Sequence, residues 1–424
     1  MFPPLLPPTH IHPNPLLTLA PHLTPHLPHS LPLLRRLQHN HSSPHARTLA
    51  TFPPNTSTPS SSPSSSSSSS SYSALWIDRS RGPETECWIF STHELPPSSP
   101  HRNNNADLAR GEILALLNAV AELPVPGNRS PPGGGADFVV VGSLRESLVE
   151  ILGGEELGYL KPQSVLSRDL ADLPSNAAKE EEEEGGNGEG NGNREGEMAG
   201  RKGVLGGLST PYMKWIIAPL PPTPTPPPAQ EHEQSERELH LPPGYHYSRP
   251  RAERGELELV LSRTSIPRSE ATLAKLGSVG IRYVDPGGAR DRLGEEEEEK
   301  KEEKEEKERG QLISWAFLGP DGSLTSLHVE EPHRGQGLAK AVAKRLFKAL
   351  KEDMGGVGFR AVGGDGGWAH SDVAIENKES AGVARGLGGV EGWVVRWVHV
   401  DLGRVRGLVV GGGVDSEGGR SLWR

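Results

Sequence analysis

Between Leu324 and Glu330 the chain alternates: Thr325, Leu327 and Val329 fall on one face of an extended strand, and Leu324, Ser326, His328 and Glu330 on the other. From Leu338 the period lengthens. Leu338, Val342, Leu346 and Ala349 share one stripe of a helix, and Lys340, Lys344 and Lys348 share another. A strand, a turn and an amphipathic helix therefore succeed one another directly. The turn, Arg334-Gly335-Gln336-Gly337, has two glycines that permit positive φ, so consecutive N–H groups can converge on an anion at the positive end of the helix dipole.

Similar patterning fills out the C-terminal region. Arg254 to Thr264 has helical spacing of Leu257, Val260 and Leu261, and Ser269 is placed to cap a second helix that ends at Leu276. Val279 to Val284 and Gln311 to Leu318 read as strands, with Gly319-Pro320-Asp321-Gly322 as a hairpin turn into Ser323. Beyond the long helix come a strand from Trp368 to Ile375, a short helix opening at Asn377 and stopped by Gly388-Gly389, and a last strand from Trp393 to Leu402. This order predicts a mixed α/β (α+β) fold in which a mostly antiparallel sheet carries helices on both faces. A smaller α/β unit is expected from the strands Cys87 to Phe90, Phe138 to Val141 and Tyr212 to Ala218 and the helices Leu108 to Leu123 and Ser143 to Leu152.

The turn has too few glycines for a dinucleotide fingerprint, and no G-K-[ST] ends it as in a nucleoside-triphosphate loop. It matches R-G-x-G-[LI]-[AG] preceded by L-x-V, here Arg334-Gly335-Gln336-Gly337-Leu338-Ala339 after Leu327-His328-Val329. On these residues the region resembles the acyl-CoA loop of the GNAT acyltransferase superfamily. Asn377, Ser380 and Gly388 fit the superfamily's N-x-x-[SA] helix start and subsequent glycine, while Asn377 and Ser380 also read as ordinary helix caps. In organisation alone, the unit at 74–218 resembles the degenerate first half of glycine N-acyltransferase-like proteins.

The resemblance implies acetyl-CoA or another acyl-CoA as co-substrate, no metal, and direct attack of an amine on a thioester. It assigns cofactor contacts to Leu327, Val329, Arg334, Gly335, Gln336, Gly337, Leu338, Ala339, Asn377 and Ser380, with the pantetheine arm lying along Leu327 and Val329 like an added strand. His328 and Glu330 are candidate bases, and each also reads as an ordinary residue, a packed strand histidine and a solvated strand end. Arg263 and Arg268 flank a small polar turn and are candidates to hold the carboxylate of an amine or amino acid acceptor, or are surface arginines. Two positions depart from the superfamily pattern. Ser323 stands where the glycine-conjugating branch carries an acid, and Ala384 where many members carry the tyrosine that protonates the departing thiolate. A non-catalytic acyl-CoA-binding module and an interaction scaffold remain as alternatives to an N-acyltransferase.

Composition narrows the folded part. With 51 Gly and 40 Pro in 424 residues and 33% hydrophobic residues, much of the length lies outside any core. Expected boundaries are a disordered tail over 1–73, the small unit over 74–218 with an acidic insertion at 179–203, a proline-rich linker over 219–238, the GNAT-like domain over 239–404 with a Glu/Lys insertion at 287–310, and a flexible tail over 405–424. The net charge of −10 is accounted for by Glu180 to Glu184 and by the run from Glu295 to Arg309, so it describes solvated insertions rather than a binding face. No nucleic acid or membrane partner is expected, since no apolar run approaches the roughly 18–20 residues of a span. No acidic residue precedes Asp78, which fits a transit segment, and the prolines break most amphipathic helices there, leaving Leu31 to Gln38 for a turn or two; the expected location is accordingly mitochondrial or cytoplasmic. The eight histidines from His10 to His45 are irregularly spaced and read as low complexity, and the single Cys87 excludes an internal disulfide.

Overall fold

The computed structural model describes residues 6–54, 71–81, 84–125, 137–154, 203–218, 240–264, 266, 268–285, 310–352, 357–360 and 367–411. The serine block, most of the acidic insertion, the proline-rich linker and most of the Glu/Lys run lie outside these residues.

One sheet runs through the whole molecule in the order β1-β2-β3-β4-β5-β13-β7-β12-β11-β10-β9-β8, with β6 pairing β13. The first half supplies β1 (His10–Ile11), α1 (Leu31–Gln38), β2 (Arg47–Ala50), β3 (Ser73–Ile77), β4 (Cys87–Ser91), α2 (Ala106–Ala121), β5 (Phe138–Arg145), α3 (Glu146–Gly153), β6 (Leu205–Leu208) and β7 (Tyr212–Ile217). The second supplies β8 (Tyr245–Ser248), α4 (Glu256–Ser262), α5 (Glu270–Leu273), β9 (Ser278–Tyr283), β10 (Gln311–Leu318), β11 (Ser323–Val329), α6 (Leu338–Glu352), β12 (Ala369–Ala374), α7 (Lys378–Gly386), β13 (Val390–Asp401) and α8 (Leu402–Gly411). The pairs β4/β5 and β11/β12 are parallel and the other neighbours antiparallel, which is the mostly antiparallel mixed sheet expected.

The two halves exchange their last strands. β7 lies between β12 and β13, and β13 lies between β5 and β7, so each half closes its sheet with a strand from the other. Apolar side chains obey the same plan. Val398 and Val400 of β13 pack with Ile113, Leu117 and Val141 of the first half, whereas Leu338, Val342 and Leu346 of α6 pack with Ile281, Ile313 and Leu324 of the second.

Three expectations are corrected. The described part of the expected disordered tail over 1–73, residues 6–54 and 71–73, is folded: β1, α1 and β2 belong to the sheet and its cover, and every residue of α1 is buried. Leu31 to Gln38 is the helix its sequence allowed, and the prolines that argued against helix elsewhere, Pro15 and Pro21, each sit like Pro32 in the first two positions of a helix, where a missing N–H costs nothing. The arginines of the acid-free segment are structural. Arg36 lies 3.4 Å over the Trp76 ring, and Arg35 donates to the Trp368 carbonyl at 2.8 Å and packs against Gly322 at the head of β11. At the other end, the expected flexible tail from 405 begins as helix, with Val405 buried beside α2.

The third correction is to the faces of β11. Ser326 has φ 50°, and the register with β10 slips there: Phe317 faces Thr325 while Trp315 faces His328. One extra residue on β11 shifts the alternation. Leu324, Leu327 and Val329 consequently share the core under α6, and Thr325, His328 and Glu330 come to the opposite face.

Candidate functional site

β11 and β12 pair at Ser323 with His370 and at Leu324 with Ser371, and no further. Beyond Leu324 the two parallel strands separate, leaving an edge of β11 without a partner strand. On the other edge, Glu330 donates its N–H to Ile313 O at 2.8 Å and His328 O accepts from the Ser314 hydroxyl at 2.9 Å. Backbone groups alternate between edges, so those of Leu327 and Val329 point into the opening. Val329 O there accepts from Arg334 Nε at 3.1 Å.

The opening leads to the turn before α6. Gly335 and Gly337 both have φ 79°, and a Cβ added to either would meet nothing within 4 Å. Their glycine character is thus required by backbone conformation and leaves an open concavity above the first turn of a 15-residue helix. Gln336 is exposed, Leu338 is buried as the anchor of α6, and Ala339 lies in its first turn. Four N–H groups at a helix start lack intrahelical acceptors, and the dipole is positive there. The arrangement suits a diphosphate. Across the opening, Asn377 Oδ1 accepts the Ser380 N–H at 2.9 Å and caps α7, so Asn377 and Ser380 act together as a helix cap.

The face created by the bulge carries the polar candidates. His328 stacks on Trp315 with ring centroids 4.7 Å apart, and its Nε2 stands 3.6 Å from Glu330 Oε1, too long for a hydrogen bond. Burial lowers the His328 pKa below 6.5, outweighing the nearby Glu330 carboxylate, so the ring is neutral at pH 7. Arg263 Nε is 3.1 Å from Glu330 Oε1, which joins Arg263, Glu330 and His328 in one chain of contacts. Arg268 is separate from them. It donates from Nη2 to Thr325 Oγ1 at 3.3 Å, two rungs down the strand.

Around the junction of β11 with β12 lies a buried polar network that the sequence did not disclose. Lys214, from the exchanged strand β7, reaches Asp372 Oδ1 at 2.6 Å and His370 Nδ1 at 3.3 Å. A lysine ammonium only donates, so His370 Nδ1 accepts and its Nε2–H donates to Asp321 O at 2.8 Å. Asp321 in turn accepts from the Ser323 hydroxyl at 2.6 Å and the Trp88 indole N–H at 3.3 Å. Burial raises the Asp321 pKa, but His370, Lys214 and Ser323 together outweigh it and hold the group below its ordinary value. Asp321 reads in sequence as a turn residue, and Lys214 lies more than a hundred residues from its partners. Among the described residues, no group of three His, Cys, Asp or Glu side chains is placed to hold a metal, and no helix is long and apolar enough to cross a membrane.

Two family models match the chain, one in each half. Residues 6–172 match the Acyl-CoA N-acyltransferase verG N-terminal domain, and residues 305–362, which contain β10, β11, the glycine turn and α6, match FR47-like protein. The chain belongs to the GNAT superfamily. No curated protein matches it. Among solved structures, this chain is similar to that of a Drosophila protein at 13% identity over 93% of this chain and 98% of that one, with a TM-score of 0.47. It is also similar to a GCN5-related N-acetyltransferase from Sphaerobacter thermophilus at 11% identity, over 94% and 96% of the two chains, with a TM-score of 0.36. A tandem GNAT protein from the clavulanic acid biosynthesis pathway shows 11% identity over 91% of each chain and a TM-score of 0.34.

Only one of the two halves of this GNAT chain keeps the glycine turn. In the first half the parallel strands meet at a single pair, Cys87 with Val141, and then separate as β11 and β12 do. After β4 the chain enters a capping box, in which Glu94 Oε1 accepts the Ser91 N–H at 2.9 Å. Arg145, at the end of β5, donates to Glu94 O and lies 4.8 Å over the Trp393 ring. The opening between those strand ends is occupied by the protein's own side chains.

Proposed function

We propose that the second half is an acyl-CoA-dependent N-acyltransferase acting on a primary amine. The observation that carries this is the separation of β11 from β12 after Leu324, which runs without interruption into the open glycine turn. Both positive-φ glycines present free space where a side chain would stand, so the residues fit the group. Acyl-CoA would supply the acyl group as an activated thioester.

The chain's own groups then have distinct tasks. The N–H groups of Gly335 to Ala339 hold the diphosphate, with Arg334 beside them. Leu327 and Val329 offer strand-like hydrogen bonds to the amide groups of the pantetheine arm, and an N–H near Val329 faces the carbonyl oxygen as it gains charge. His328 takes the proton from the attacking nitrogen, since it is neutral at pH 7 and its position is held by the stack on Trp315. Glu330 and Arg263 fix the electrostatics beside it. As the N–C bond forms, the C–S bond breaks with its electron pair on sulfur, and the proton collected by His328 returns through solvent to the thiolate. Ala384 is buried and carries no proton, so water is the donor to a thiol of pKa near 8.5.

Thermal-shift measurements with acetyl-, benzoyl- and longer acyl-CoAs, then thiol release with a panel of amines, test the proposal. A rise in melting temperature with amine-dependent thiol release is expected. Binding without release would mark a non-catalytic module, and no shift with any acyl-CoA would leave a scaffold.

A further inference from the structure

Between Val260 and Leu273 no described residue is buried, so the stretch that joins α4 to α5 has no apolar anchor of its own. At 4 residues, α5 is too short to hold itself. Polar bonds hold the stretch instead. Arg263 reaches Glu330 Oε1 at 3.1 Å, Arg268 reaches Thr325 Oγ1 at 3.3 Å, and the far end is tied to the other half of the molecule. There Glu84 Oε1 accepts the Ser269 N–H at 3.2 Å and the Thr272 hydroxyl at 2.8 Å. Ser269 also caps α5, its hydroxyl accepting the Thr272 N–H at 3.2 Å, so Glu84 grips the residues that start the helix. Glu84 is itself held. In the loop between β3 and β4, Asp78 Oδ1 accepts the Ser80 N–H at 3.0 Å, Arg81 Nε donates to Thr85 O at 3.0 Å, and Arg81 Nη2 donates to Glu84 Oε2 at 3.2 Å. The Glu84 side chain is 15% exposed, so water competes little for it.

The tied stretch borders a cavity of about 80 Å³, whose lining includes Ile266, Arg268 and Thr272 on one part and Leu324, Thr325 and Asp372 on another. Leu324 and Ser371 form the last pair before β11 and β12 separate, so this cavity meets the root of the separation. Arg81, Glu84 and Thr272 line both it and a second cavity of about 580 Å³ that Asn40, Ser43 and Lys275 also border. The carboxylate stands between the two.

Resting on the acyl-transfer reading above, we propose that Glu84 of the first half is a positioning residue for the amine: it holds the stretch between α4 and α5 as a wall beside the separated strands and keeps Arg263 on Glu330, next to His328. The first half thus acts on the reaction without touching the reactants. With the tie cut, the wall is in place for only a fraction of the time, and the apparent affinity for the amine falls by that fraction. A bound amine orders the wall again, so turnover at saturation recovers. Acyl-CoA binding is spared, because the glycine turn and the free edge of β11 share no residue with the tie.

Thiol release from saturating acetyl-CoA with ethylamine, ethanolamine and benzylamine tests this in the full chain. Glu84→Ala should raise the amine KM by about tenfold or more, with kcat and the acetyl-CoA Kd each within about twofold of the wild type. Glu84→Gln keeps an oxygen for the Ser269 N–H and the Thr272 hydroxyl, and should return KM to within about threefold. Thr272→Val cuts the same tie from the other side, so adding it to Glu84→Ala should cost no more than about twofold further. An unchanged amine KM in Glu84→Ala overturns the proposal, as do a parallel loss of acetyl-CoA affinity and fully additive losses in the double variant. Hydrogen exchange over 263–276 is a readout that needs no activity. It should quicken in Glu84→Ala and stay near the wild type in Glu84→Gln, and equal exchange in the wild type and Glu84→Ala overturns the tie. If the wild type releases no thiol with any of the three amines, the acyl-transfer reading fails instead, and exchange decides the role of Glu84 alone.

Discussion

Apart from β6 in the first half and α8 in the second, the two halves share a similar order of elements and the same separating pair of parallel strands, yet they treat the opening differently. The second half leaves the edge of β11 bare and continues it into glycines in open space. The first half fills the corresponding place with Arg145, Glu94 and Trp393, and continues β4 into a capping box. Their long insertions also match, since 51–72 joins β2 to β3 and 284–310 joins β9 to β10. The separation of strands is therefore a property of the fold, and a ligand site exists only where nothing from the protein occupies it. The first half retains a different contribution, the exchanged strand that carries Lys214 and Tyr212 to the second half.

The largest effect should come from cutting that contribution. The Lys214 and Asp372 side chains are 1% and 4% exposed, so Lys214→Met leaves a buried carboxylate without its cation at a cost of about 3–5 kcal/mol. Denaturant unfolding should show the loss, and Lys214→Met with Asp372→Leu should recover much of it. If the single substitution costs under about 1 kcal/mol, the halves are joined chiefly by apolar packing.

Next comes the glycine turn itself. Gly337→Glu places a side chain at φ 79° and a negative charge where a diphosphate is to bind, and acyl-CoA affinity should fall by roughly a hundredfold or more, about 3 kcal/mol. Ser98→Glu, an exposed position after β4 in the first half, should leave the affinity unchanged. Calorimetry on both variants checks the contrast, and a comparable loss in Ser98→Glu would mean that the cofactor uses the first half.

His328→Ala should lower kcat by roughly a hundredfold with acyl-CoA affinity intact. The pH dependence has a definite sign. Because burial lowers the His328 pKa below 6.5, the ring is already neutral above that value, and the rate should stay level from pH 7 to 8 and fall only in acid. A rate that climbs through pH 7 to 8 would point to another base.

How much of the fold and the site was legible in the chain depends on the range of each signal. β10, the glycine turn and α6 are written in local periodicity, and Gln311 to Leu318 coincides with the strand. Ser326 is a single residue that leaves no trace in composition, yet its φ of 50° moves His328 and Glu330 to the face of Arg263. The strand exchange is a contact across the whole length of the chain, so Lys214 could not be read as part of a site with Asp372. Arg263 and Arg268 flank the same short turn and look equivalent in sequence. Glu330 takes one and the cavity the other, a division decided by tertiary packing. The short helices at Pro15–Thr18 and Ala20–Leu23 escaped notice for a different reason, because proline in the first turn of a helix starts it as readily as proline inside one breaks it.

The smallest effect concerns the filled opening of the first half. Glu94 is 6% exposed, and burial raises its pKa from 4.5 to about 7 against the opposing pull of Arg145. In the unfolded chain it ionises near 4.5, so between 4.5 and 7 the folded state holds a proton that the unfolded state has lost. The stability from this group is fully present below pH 4.5 and is lost as pH rises through about 7, with a slope of at most about 1.4 kcal/mol per pH unit. Glu94→Gln keeps an acceptor for the Ser91 N–H and removes the titration, so its stability relative to the wild type should improve from pH 5 to pH 8. Urea unfolding at the two pH values measures it. A difference that does not vary with pH would show that Glu94 is ionised throughout and bound to Arg145 as an ion pair, making the first-half opening a closed salt link rather than a protonated plug.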